Sequence, residues 1–565
     1  MHDPLLFERN MLAIASHHPV SSADRVRNAS SDMRVGMDEA RDGSPLAYLD
    51  YAGRRAYMSS RMHPLREAER LAAEYTQSGF FVFLGLGPGF LAKALLESGR
   101  LSSGIIIEYR AGTLRAILER IDLTKVLADK RLLLLVDPSD EELEQAMVER
   151  YMPAVSGDIV TVPLASRIDA EPERYQGANR ALRAILDKVS DDYSVQAFFG
   201  KRWFANIVRN LRYAAGNTPP VGPVREAIIT AAGPSLEDAI AELSDRPKRR
   251  FLIATDTSMH ALLKRGIMPD AVLSIDCQHI SYYHFMDGIP KGLPLFLDLA
   301  SPTTLAKLSE RPYFFSSGHP LARYVASRMR AYPQLDTSGG NVTHAAISLA
   351  EYLSASVIDV YGADFSYPLG KSYARGTYIY PYFDLRQSRL RPQEGLFQDF
   401  LYRNQSLERQ CDADGEYRYL TKPLGAYLRR MEGLAASSKA LLRRHRGRGA
   451  ASLADYDETK PAPQRGFGRV FAAGKLFMTP SEFLRSYRAQ LLALPKPPAD
   501  PSPAQAAQYI QALQGRDRDI WTTLLPSVAA FRREAGSDMQ RMRGVLAEVL
   551  AWSVALIDEE LKETS

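Results

Sequence analysis

Cysteine is almost missing from this chain of 565 residues. The two present, Cys277 and Cys411, lie far apart and without metal-ligand spacing, which gives neither a disulfide framework nor a structural zinc site. Long apolar runs are missing as well. No stretch approaches the ~20 apolar residues of a membrane span. The opening residues, MHDPLLFERN, lack the basic start and apolar core of a secretory signal. A cytoplasmic protein with no membrane span is expected. The third absence is an excess of one charge: 71 basic residues against 66 acidic ones leave a net charge of +5. Such a surface is open to anionic small molecules or an acidic partner, and is not that of a nucleic-acid binder. The basic stretch Arg443-Arg444-His445-Arg446-Gly447-Arg448 has no interleaved aromatics and reads as a solvated linker.

What is present is ordinary globular composition, 45% hydrophobic and 24% charged, on a chain too long for one core. Two or three domains are expected. Residues 1–75 are polar and irregular, with Tyr48, Tyr51 and Tyr57, and read as a cap or small β element. Phe80–Leu84 is a short apolar strand, followed directly by Gly85-Leu86-Gly87-Pro88-Gly89 and a helical pattern over Phe90–Glu97. Ile105–Ile107 ends at Glu108, and Leu132–Val136 ends at Asp137. Strand, glycine turn, helix, and strand with a terminal acid is the order of a Rossmann-like unit. Its turn suits either a nucleotide-type cofactor or a plain tight connection; Pro88 removes one N–H donor and weakens the first reading.

A helical connector around Ala178–Val208 ends at Asn217-Thr218-Pro219-Pro220, a boundary signal. A second α/β series follows. Its strands are Ala227–Thr230, Phe251–Ala254, Ala271–Ile275, Leu295–Leu297 and Tyr313–Phe315, with Asp256, Asp276 and Asp298 just beyond three of them. The stretch Thr337-Ser338-Gly339-Gly340-Asn341 opens a helix, Val342–Leu353, and leads to a strand, Val357–Tyr361, and Gly362-Ala363-Asp364. A polar turn at a helix start presents unpaired N–H groups to an anion, and the strand delivers Asp364 to the edge where open α/β sheets hold ligands. Tyr367–Tyr382 suits a lid over a substrate or a solvated aromatic loop. Phe397–Asp412 and Leu424–Arg444 read as helices around a hairpin turn at Asp414–Tyr419, and Ser481–Leu492 and Ala504–Ile557 as a helical C-terminus.

Four of these motifs, in order, carry a resemblance: Ala232-Gly233-Pro234-Ser235-Leu236, Asp256 after its strand, Pro269-Asp270 before Asp276, and Thr337–Asp364. The set resembles the DUF115 (MptE-like) family over roughly residues 220–440. Its members include the motility accessory factors (Maf), regarded as flagellin glycosyltransferases, and archaeal 6-hydroxymethylpterin pyrophosphokinases. The Gly-Pro-Ser-Leu and Thr-Ser-Gly motifs also look like CMP-donor sialyltransferases. The fold implied is α/β: a Rossmann-like N-terminal domain with connector (1–215), a sialyltransferase-like (GT-A-like) α/β central domain (216–445) and an all-α C-terminal domain (446–565).

By that resemblance, Gly233, Pro234, Ser235, Asp256 and Asp276 contact a nucleotide, and Thr337, Ser338, Gly339 and Asn341 hold its phosphate. Asp364 sits near the sugar or orders the site. Transfer from a CMP-linked nonulosonic acid to a protein hydroxyl needs no obligatory metal, because donors can stabilise the departing monophosphate. It does need a base. Among His260, His279, His284, His319 and His344, the two favoured are His319 and His344. An ATP-dependent pyrophosphokinase would instead need magnesium, with Asp256, Asp276 and Asp364 as ligands. A non-catalytic, flagellin-binding motility factor is the third reading.

Overall fold

Apolar runs without alternation are what parallel strands covered on both faces require, and in the computed structural model each such run is a strand of a parallel sheet. The structure describes residues 4–156, 158–247, 250–403, 406–411, 415–444, 449, 468–499 and 501–563. Residues 445–448 of the basic stretch lie outside them. Two compact units emerge: Met1–Lys201 with Ala493–Ser553, and Arg202–Leu492 with Val554–Ser565. Among the described residues no helix is long and apolar enough to cross a membrane.

The first unit opens with two helices, Pro4–His17 and Val20–Asn28, which the polar composition of this region did not announce. An antiparallel sheet follows, β1 (Val35–Glu39), β2 (Pro45–Tyr51) and β3 (Arg54–Tyr57). Then come the parallel strands β4 (Gly79–Leu84), β5 (Leu101–Glu108), β6 (Leu132–Val136) and β7 (Asp158–Pro163), in the order β6-β5-β4-β7. Strand order reverses between β4 and β7, which is where a Rossmann-type sheet holds its ligand. Here that place is filled from within. Leu164, the residue after β7, lies against the glycine turn, and a β-carbon on Gly87 would sit 2.8 Å from its Cδ2. Glu108 accepts from Leu86 N–H at 2.6 Å and pairs with Arg167 at 3.2 Å, both side chains wholly buried. The acid that would meet a ribose is spent on the protein.

The second unit is built on seven parallel strands: β8 (Glu226–Thr230), β9 (Arg250–Thr255), β10 (Ala271–Ser274), β11 (Leu295–Asp298), β12 (Pro312–Phe315), β13 (Val357–Tyr361) and, further along, β17 (Leu441–Arg444). Their order is β12-β11-β10-β9-β8-β13-β17. Between β13 and β17 the chain adds a small antiparallel sheet, β14 (Tyr367–Pro368), β15 (Leu407–Cys411) and β16 (Tyr417–Thr421). The core joins the sheet to the helix Val342–Tyr352 through Ile229, Ile253, Leu273, Phe296, Ile347 and Ile358, all fully buried.

Two expectations change. The helix expected over Phe397–Asp412 is Gln393–Tyr402, and Leu407–Cys411 is strand β15, paired with β16. The helix expected over Leu424–Arg444 stops at Ser437, and its last four residues become β17. Asp359, in the middle of β13 and fully buried, explains this: it takes Arg443 of β17 in a two-point bond at 2.7 and 3.0 Å and also meets Arg250 of β9. The expected helical C-terminus is present, its residues 480–492 and 554–565 grouping with the second unit and 493–553 with the first.

Candidate active site

Strand order in the second unit turns back between β8 and β13, so the crevice lies beyond their C-terminal ends. Two motifs read from the sequence leave the sheet there side by side. Ala231 N–H donates to Tyr361 O at 2.8 Å and Gly233 N–H to Gly362 O at 2.8 Å, continuing the ladder past the strands. A β-carbon on Gly233 would lie 2.4 Å from Gly362 O and 2.5 Å from Asp364 Oδ2, so only glycine fits. Asp364, 2% exposed, clasps the turn: Ser235 N–H donates to Oδ2 at 2.9 Å and Ser235 Oγ donates to Oδ1. Burial pushes its carboxyl above the ordinary range, against the pull of those Ser235 bonds.

This clasp changes what the turn can do. Gly233 N–H is taken by Gly362 O, Ser235 N–H by Asp364 and Leu236 N–H by Gly233 O, and Pro234 has none. The turn positions; it does not present donors to a phosphate. The second turn differs. Ser338 N–H goes to Asp336 and Gly340 N–H to Thr337 O, while Asn341 caps the helix by accepting from His344 N–H at 3.1 Å. The first-turn N–H groups of Val342 and Thr343 have no partner within the helix. Ser338 is exposed, and Thr337 and Gly339 are half-buried. His344, 3% exposed, holds Nδ1 3.1 Å from Gly339 O and 2.8 Å from Asn341 Nδ2, with its ring stacked 5.9 Å from Phe365. Its Nε2 is buried without a partner, and burial lowers its basicity. Thr337–His344, Gly233–Ser235 and Asp364 are therefore brought together.

One strand further along the edge lies a cluster that the sequence showed only in part. Asp256, 4% exposed at the end of β9, accepts from Thr257 N–H at 2.7 Å and from Ser274 Oγ at 2.7 Å. Its Oδ2 is 3.4 Å from His284 Nδ1, and the His284 ring lies 4.5 Å from that of Tyr378. Asp276, after β10, accepts from Gln278 N–H at 2.9 Å; burial, and next the charge of Asp256, raise its carboxyl. Burial pushes the Tyr378 phenol up to about 12, with Asp256 and Asp276 adding to it. His284 stood among the five histidines of this region without being singled out. Tyr378 was only part of a tyrosine-rich stretch, because one-dimensional spacing does not show which face a loop turns to a sheet edge.

That stretch is pinned over the site. Ala374 N–H donates to Ala232 O at 2.9 Å, and Glu237, next to the Gly-Pro-Ser-Leu turn, takes Lys371 at 2.6 Å and Arg375 N–H at 2.5 Å. A cavity of about 690 Å³ borders it, lined among others by Lys264, Lys371, Arg375, Asp384 and Glu394. His319 lies elsewhere. It precedes the helix Pro320–Arg328 after β12, four strands removed from β8, about 19 Å at the usual strand spacing. There its ring lies tilted 4.1 Å from that of Trp203, near the buried Asp298.

Comparison with known proteins falls on this region. The family model described as "6-hydroxymethylpterin diphosphokinase MptE-like" matches residues 201–370. An uncharacterized protein of Treponema pallidum (strain Nichols) is 32% identical over 166 residues, which is 29% of this chain and 79% of that protein. A second from the same organism is 36% identical over 126 residues, covering 22% of this chain and 44% of that one. Among solved structures, "Structure of MAf glycosyltransferase from Magnetospirillum magneticum AMB-1" aligns over 99% of this chain and 94% of its own, with a TM-score of 0.59 at 13% identity. At that identity the likeness is one of fold. With its site motifs inside the matched segment, the chain belongs to the MptE-like (DUF115) family.

Proposed function

We propose that this protein is a glycosyltransferase that moves a nonulosonic acid of the sialic or pseudaminic type from a CMP-activated donor to a Ser or Thr hydroxyl of a protein, with flagellin as the acceptor. The fold shared with the Maf glycosyltransferase supports the reaction class. The observation that carries the reading is how the aspartates are used. Both oxygens of Asp364 accept from Ser235, and those of Asp256 accept from Thr257 and Ser274, with Oδ2 also facing His284. Such a donor set does not suit a magnesium centre, which a polyphosphate reaction would require. A monophosphate leaving group needs only donors, and the start of the helix Val342–Tyr352 offers them beside the buried His344.

Two further features support the substrates. Basic groups outnumber acids among the charged residues lining the neighbouring cavity, as a carboxylate-bearing sugar would need. The rim of the site exposes Ile280 at 50%, Tyr282 at 41% and Met286 at 54%, an apolar edge suited to a polypeptide. The pterin pyrophosphokinase, which the family description favours, is the second reading. Titration calorimetry divides them. CMP binding without metal is expected; ATP binding that depends on magnesium would replace the reading with the pyrophosphokinase, and absence of any nucleotide binding with a non-catalytic flagellin-binding factor.

A further inference from the structure

We propose that His284 is the general base of the transfer, oriented by Asp256 and taking the acceptor's proton at Nε2, the ring edge turned away from that carboxylate. The inference rests on the glycosyltransferase reading above and names a residue that neither motif nor spacing selected. Position comes first. Asp256 ends β9, the immediate neighbour of β8, so the His284 ring stands one strand from the switch point. His319 is three strands further out along the sheet edge, after β12. His344 has Nδ1 committed to Gly339 and Asn341, and its ring is packed on Phe365.

Geometry comes second. Asp256 is fixed by two hydrogen bonds, from Thr257 N–H and Ser274 Oγ, so its remaining approach to His284 Nδ1 at 3.4 Å is held from behind. That approach lacks hydrogen-bond alignment, and Nδ1 has no other partner. Catalytic hydrogen bonds are commonly long before substrate closes the site. A carboxylate behind an imidazole sets the tautomer and stabilises the imidazolium that forms. Tyr378 covers the ring at 4.5 Å. Access comes third. The segment His279–Phe285 carries His284 inward while Ile280 and Tyr282 face solvent, so an acceptor hydroxyl must reach past that apolar rim to the base.

The step balances. The acceptor oxygen forms its bond to the anomeric carbon as the bond from that carbon to the phosphate oxygen breaks. CMP leaves with the electron pair, and the hydroxyl proton passes to His284 Nε2. The groups facing the ring are Asp256 and His260 from the helix Asp256–Leu263, Asp276 from the loop after β10, and Tyr378 from the pinned segment.

The test uses the full-length protein with CMP-N-acetylneuraminic and CMP-pseudaminic acid as donors and water as acceptor, reading CMP release and CMP affinity. His284→Gln is expected to lower kcat on the order of 10²–10⁴-fold while leaving CMP affinity within about threefold. The acid limb of the wild-type kcat/KM profile should vanish. Imidazole added to His284→Ala should restore part of the rate, which a packing role would not allow. Asp256→Asn should slow the reaction and move the acid limb. Full activity of His284→Gln with an unchanged acid limb overturns the assignment, as does loss without imidazole rescue. Wild-type protein that releases CMP from neither donor overturns the glycosyltransferase reading itself.

Discussion

His18 has both ring nitrogens engaged: Nε2 stands 2.8 Å from Leu127 O, and Nδ1 accepts from Leu134 N–H at 3.1 Å. That pattern fits only the neutral ring, since a second proton would meet the Leu134 N–H head on. Burial, and next the neighbouring His17, lower its pKa from 6.5 to about 4. Between those values the unfolded chain binds the extra proton and the folded one does not, so stability rises with pH. The contribution is complete above pH 6.5 and is lost as pH falls towards 4, an amount of about 3 kcal/mol. Urea unfolding followed by circular dichroism at pH 7 and pH 4.5 should show a shallower pH slope for His18→Asn than for the parent; equal slopes would remove His18 as the cause. At this scale the sequence singled out Asp256, Asp364 and His344, of which Asp256 follows β9 and Asp364 follows β13. It could not say that Asp364 faces Ser235 instead of a ligand, because a carboxylate's partner is chosen by a turn 129 residues away.

The elements easiest to read were those whose physics is local. β4 and β6 appear as unbroken apolar runs, β5, β8, β9 and β10 each carry a shorter one, and β13 is interrupted only by Asp359. The Asn341 cap likewise marks its helix start in the residue type. β15 and β17 were not legible. Their sequences, Leu407–Cys411 and Leu441–Arg444, are polar enough to continue the preceding helical patterns, and only pairing makes them strands. For β17 the pairing residue is Asp359. Asp359→Ala would leave Arg250 and Arg443 without their buried acid, a loss on the order of 3–5 kcal/mol. Hydrogen exchange should show protection falling at Leu441–Arg444 before the rest of the sheet. Undiminished protection there would mean that backbone pairing alone holds the strand.

The whole chain is organised discontinuously, with residues 493–553 completing the first unit. Trp521, Leu524 and Phe531 of the helix Gly515–Ala535 are buried, so this segment is part of a core and not an appended module. Truncation after Leu492 should therefore make residues 1–201 markedly more sensitive to limited proteolysis; unchanged resistance would show that the first unit folds without it. By itself the sequence determined two successive parallel α/β units and the glycine turns at their first strands. Each of these is a local pattern of apolar runs, small residues and terminal acids. Tertiary structure alone decided that Leu164, Glu108 and Arg167 close the first crevice. It alone decided that Ser235 and Asp364 lock each other, and that His284 is the histidine beside Asp256. Those outcomes depend on strand order, which brings distant segments together along a sheet edge and has no signature in neighbouring residues.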